Sequence, residues 1–217
     1  FYYAGAQEVI VGANFDAAQK NESEQQEAAR TRLQNSEIKW DVAGLILQHG
    51  ILATTLGDRL RYSDLVVVSA PYAQKRSRVA ETVAEAALFN ASLPCLIVPP
   101  DYPTKMPETA FRRILVAWND GDQALAAVRA AYPFIATADL VDISVIDPST
   151  SGPDRSDPGG RLAQVVTRHG ARAEVTVLAK GEQPVADQLS QRARETGADL
   201  IVMGAYGHSR MREAIFG

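Results

Sequence analysis

Displaced against itself by 135 residues, the chain meets a second version of one pattern. Tyr62-Ser-Asp-Leu-Val-Val-Val-Ser-Ala70 falls on Gly197-Ala-Asp-Leu-Ile-Val-Met-Gly-Ala205, and residues 51–60 fall on 186–195. In each copy an amphipathic stretch feeds an apolar run through a short polar joint. Leu52, Leu56 and Leu60 recur at helical spacing in the first, Val185, Leu189 and Ala193 in the second,. A unit of this kind, helix then buried strand, repeats only in a parallel sheet covered on both faces. The repeat therefore predicts an α/β fold made of two similar open parallel-sheet domains in tandem.

The second copy supplies its own beginning. Arg113-Ile-Leu-Val-Ala-Trp-Asn119 reads as a buried strand, and 120–136 as one helix with Ala124, Leu125, Val128 and Ala131 on one face,. Residues 141–147 read as a second strand, and 148–157 as a polar loop rich in Pro and Gly,. Asp157 is expected to cap the next helix with Pro158 at its first position, that helix ending near Gly170,. A third strand comes next over 173–178 and a fourth over 200–203.

At the same offset the first copy lacks counterparts for the strand at 113 and its helix, while 94–98 reads as a fifth strand with no counterpart before Gly217. The expectation is a chain trimmed at both ends, with a remnant strand within 8–13 and a third strand of the first copy around Trp40 and Asp41. Pro99-Pro-Asp-Tyr-Pro-Thr-Lys-Met-Pro107 reads as an extended linker,. The domains are accordingly placed at 1–100 and 110–217.

The final strand ends at Gly204, with further glycines at 207 and 217 around a helical stretch. Glycines between a strand and a helix let backbone N–H groups approach a ligand, and the helix N-terminus favours an anion. Gly204-x2-Gly207-x9-Gly217, preceded by Ala198-Asp-Leu-Ile-Val-Met203, resembles the nucleotide-binding signature of the universal stress protein family. In that family a Ser or Thr comes after the last glycine. The resemblance implies an adenine nucleotide alpha hydrolase-like, Rossmann-like fold. It also implies a site for ATP or another adenine nucleotide, with Mg, at the carboxyl ends of the first, second and fourth strands. Carried over by position, Ala117, Trp118 and Asn119 lie near adenine and ribose, with Val145 ending the second strand. Met203, Gly204, Gly207, His208 and Gly217 line the phosphate side. Where ATP-binding members place Asp, this chain has Asn119. That exchanges a charged acceptor for a neutral amide,. The plainer reading of Asn119 is a residue that turns the chain before Asp120-Gly121. The first copy continues past its strand with Ser69-Ala-Pro71, with no glycine and a missing N–H, and reads as unable to cradle phosphate,. Its implied role is structural. The two copies would pack as an intrachain pseudo-dimer through their fifth strands, and a homodimer remains open.

Composition narrows the alternatives. The net charge of −4 and pI of 5.4 supply no basic field for nucleic acid or an anionic membrane, and no apolar run nears the roughly 20 residues of a span,. Lys75-Arg-Ser-Arg78 and Arg210-Met-Arg212 read as solvated helix faces. The single Cys95, set in an apolar run, reads as a buried inert thiol and fits a cytoplasmic setting,. There is no P-loop, no Gly-x-Ser-x-Gly elbow and no metal-ligand spacing among His49, His169 and His208,. Enzymatic turnover rests only on His208, beside Gly207. The expected function is nucleotide sensing in a stress response. Its rivals are an interaction module that holds no nucleotide and a slow ATPase.

Overall fold

The computed structural model describes residues 15–46, 49–71, 78–102, 111–148 and 156–205. The chain divides into two compact units, Phe1–Tyr102 and Pro103–Gly217.

In the first unit a long helix, α1 (Phe15–Leu33), precedes α2 (His49–Leu60) and strand β1 (Val66–Ser69). Then come α3 (Arg78–Glu85), a π-helical turn over Ala86–Asn90, and strand β2 (Cys95–Val98). Leu52, Leu56 and Leu60 bury the predicted stripe of α2 against Val66, Ala86 and Ala87. β1 and β2 pair in parallel, Val66 beside Cys95 through Ser69 beside Val98. Leu96 and Val98 are half-buried.

Two features of this unit depart from the sequence reading. The helix α1 was not foreseen, because its faces are polar almost all round and only Ala29 on it is buried among its described side chains. At the 135-residue offset its end, Leu33, falls on Arg168 of the second copy. The strand expected around Trp40 and Asp41 does not form: residues 37–46 carry no strand, and the Asp41 carboxylate accepts a bond from the Val42 N–H at 2.9 Å. A strand needs a neighbour to complete its ladder. The neighbour this one would take, at the same offset residues 5–11, lies outside the described residues, as does the remnant expected over 8–13.

The second unit carries the candidate site. Strand β3 (Arg113–Trp118) leads through α4 (Asp122–Ala130) and a short α5 (Tyr132–Ile135) to β4 (Leu140–Ile146). Helix α6 (Gly160–Arg168), β5 (Arg172–Leu178), α7 (Val185–Thr196) and β6 (Leu200–Met203) complete the described part. All four strands are parallel, in the order β5-β4-β3-β6. Ile114, Val116, Val141, Ile143 and Val202 point to the face covered by α4, α5 and α6, where they meet Val128, Ile135, Leu162 and Val166. Leu115 points the other way, to Leu189 and Ala193 of α7.

The single helix expected over 120–136 is two, broken at Ala131, with Pro133 seated in the first turn of α5 where its missing N–H is not needed,. The cap expected from Asp157 is not made either. Helix α6 starts at Gly160 behind Gly159 at φ 90, with no side-chain capping bond, and Pro158 lies before the helix. That left-handed position, packed against Ile143, Val145 and Val175, requires glycine,.

Among the described residues, no helix is long and apolar enough to cross a membrane.

Candidate functional site at the carboxyl ends of the second sheet

The strand order makes the chain diverge between β3 and β6, so their carboxyl ends open the crevice where parallel sheets of this kind hold ligands,. Ala117 lies beside Met203 in the ladder, and Trp118 beside Val145. These four predicted residues are thus adjacent in the backbone, but their side chains part. Ala117 and Met203 pack on the α7 face, Trp118 and Val145 on the opposite one. Val145, only 4% exposed, belongs to the core, and β4 runs one residue past it to Ile146.

Asn119 is exposed and turned back on its own chain: its Oδ1 accepts from the Gly121 N–H at 3.1 Å. This closes an Asx turn at the N-cap of α4,. The residue inside that turn, Asp120, sits at φ 59, and Asp147, just past β4, sits at φ 52. Left-handed backbone costs a non-glycine residue energy, least for Asp and Asn, and strained positions of this kind gather at functional sites. Both residues are exposed, just past the carboxyl ends of the neighbouring strands β3 and β4. In the sequence both pass as ordinary turn residues. The available signal was an acid within two residues of the end of each of two neighbouring strands.

Gly204 is buried against the start of α4. A Cβ there would stand 2.6 Å from the Ala124 nitrogen and 2.7 Å from the Gln123 carbonyl carbon. The bare backbone lets the end of β6 close onto the first turn of α4, a contact a side chain would forbid. Gly207, His208 and Gly217 lie outside the described residues, as do Lys75 and Arg76. In the first unit, β1 runs into Ser69, Ala70 and Pro71 as the sequence indicated.

Compared with known proteins, residues 110–217 match the model of the universal stress protein family. The fold is similar to that of a universal stress protein from Archaeoglobus fulgidus, with a TM-score of 0.70 and 17% identity over 99% of this chain and 77% of that one. A protein from the universal stress protein family from Burkholderia pseudomallei is 30% identical over 50% of this chain and 91% of that one, with a TM-score of 0.38. No curated protein gives a significant match.

Proposed function

The chain belongs to the universal stress protein family, and on that premise we propose that its second unit senses an adenine nucleotide, ATP with Mg in the first instance. The nucleotide would lie across the carboxyl ends of β3, β4 and β6. The observation that carries this reading is the pair of strained acids, Asp120 and Asp147, at the ends of adjacent strands beside the switch in strand order. Their carboxylates suit the hydroxyls of a ribose or the amine of a base, as acidic residues do in other open α/β sheets. The first turn of α4 and the backbone after Gly204 suit the phosphates. Among the described residues no cluster of three His, Cys, Asp or Glu could hold a metal, so Mg would arrive with the nucleotide. In this reading Asp120 supplies the charged acceptor that Asn119 lacks, and Asn119 holds Asp120 in place through its bond to Gly121. The first unit would bind none, and would serve as the pairing surface for an intrachain pseudo-dimer or a homodimer.

A second reading, a stress-associated interaction module without nucleotide, draws support from two groups already in use. The Asn119 oxygen is bonded within its turn, and the space a Cβ of Gly204 would need is filled by α4.

Equilibrium binding of ATP, ADP and AMP to the full chain and two variants separates the readings. A charge-assisted hydrogen bond contributes about 1.5–3 kcal/mol against about 1 for a neutral one, so Asp120→Asn should weaken binding roughly tenfold. Asn119→Asp should leave affinity nearly unchanged, since Asp closes the same turn. A tenfold gain in Asn119→Asp with Asp120→Asn silent would give the contact to Asn119. No binding by any form would leave the interaction module.

A further inference from the structure

The α7 side of the second sheet buries a charge. Asp142 of β4 is 3% exposed and Ser144 1%, within a strand otherwise filled by Leu, Val and Ile. One carboxylate oxygen of Asp142 accepts a hydrogen bond from Arg192 Nε of α7 at 2.8 Å and lies 2.7 Å from Nη2 of the same guanidinium. The other accepts from the Ser144 hydroxyl at 3.3 Å. Arg192 Nη2 also donates to Thr176 Oγ1 on β5 at 3.0 Å, so one guanidinium ties α7 to two strands. Glu174, beside Asp142 in the ladder, pairs with Arg172 instead.

A buried ion pair is weak evidence for stability, because apolar residues of similar volume often serve as well. Its best-attested use is to fix register. Helix α7 has a register to fix. Its buried apolar contact with the sheet is Leu189 and Ala193, and Val185, next in the same row, is 38% exposed. Those three stand one helical turn apart, so a slide of about 5.4 Å would replace apolar by apolar in each seat. The apolar pattern alone does not separate the two seatings, which differ there only in side-chain volume. Arg192 does, since a slide would carry it off a buried carboxylate whose other side-chain partner among the described residues is the neutral Ser144 hydroxyl.

We propose that the Asp142–Arg192 pair is a register pin for α7. Through the short joint 197–199 the pin also sets where β6 begins, and hence where Gly204 closes on α4. The joint transmits position because it is itself held. Gly197 forms the left-handed cap of α7, and the Asp199 carboxylate accepts the N–H groups of Arg112 and Arg113, each at 3.1 Å.

The test compares the full chain with the double variant Asp142→Leu, Arg192→Leu by thermal unfolding and residue-level amide exchange. The double variant should melt close to the wild type. Its amides in α7 and β6 should exchange roughly tenfold faster or more, with β3 and β4 unchanged, because a second seating opens locally. Unchanged exchange in α7 and β6, or one common factor in every strand, would overturn the pin. Should the double variant fail to fold, Arg192→Lys decides: it keeps the charge and loses the fork that reaches Thr176. A rise confined to α7 and β6 supports the pin, and a uniform rise or none refutes it.

Discussion

Gly204 carries two demands on one residue, and they lead to different experiments. A glycine kept for ligand approach tolerates Ala in the free protein, whereas one kept for the contact with α4 does not. With backbone atoms of Gln123 and Ala124 inside 3 Å of the missing Cβ, the second demand dominates. Gly204→Ala should lower the unfolding free energy of the second unit by about 1–3 kcal/mol, the usual cost of overpacking. Denaturation without ligand measures it, and a change within about 0.3 kcal/mol would mean that the contact does not constrain Gly204. Cys95 offers a pH test at the same scale. Burial in β2 pushes its thiol from 9.0 up to about 11,. The folded state keeps the proton longer than the unfolded chain. The contribution is therefore full below about pH 9 and falls as pH rises toward 11,. A thiol reagent at pH 8 should react slowly with the native protein and fast in denaturant. Equal rates in both would place the thiol at the surface.

At the level of elements, the second sheet is clasped at its amino end by Asp199, the residue before β6, which bonds Arg112 and Arg113 at the entry to β3. Those bonds are exposed and worth less than buried ones, so Asp199→Ala should cost about 1 kcal/mol, read from the denaturation midpoint. No shift would mean the clasp is not used. β3 and β6 were legible because each is a near-continuous apolar run between turn signals, whereas β5, at one end of the strand order, shows the alternation of a strand with an exposed face,. The same physics explains the features that stayed hidden. In Val141-Asp-Ile-Ser-Val145 the polar residues alternate, which marks one face, but only the partner Arg192, fifty residues away, shows that face to be buried. Helix α1 was invisible to periodicity because it shows almost no apolar stripe. The break at Ala131 was masked by apolar residues that continue the pattern on either side. The strand ends were implied as the ligand side by the family resemblance, and the strand order that opens a crevice there came with the fold. The acids there were not legible, because a positive φ leaves little trace in residue type when the residue is Asp.

Across the whole molecule the two copies differ in the residues directly after the matching strand: Gly204 after β6, Ser69-Ala70-Pro71 at the end of β1. This asymmetry, in a chain of the universal stress protein family, is the basis for assigning the nucleotide to the second unit alone. Titration calorimetry of the full chain with ATP and Mg tests it most directly, run beside Gly207→Val, which alters the predicted phosphate loop. The expected result is one site per chain, lost in Gly207→Val while the variant keeps its melting temperature. Two equivalent sites, or one site that survives Gly207→Val untouched, would contradict the assignment.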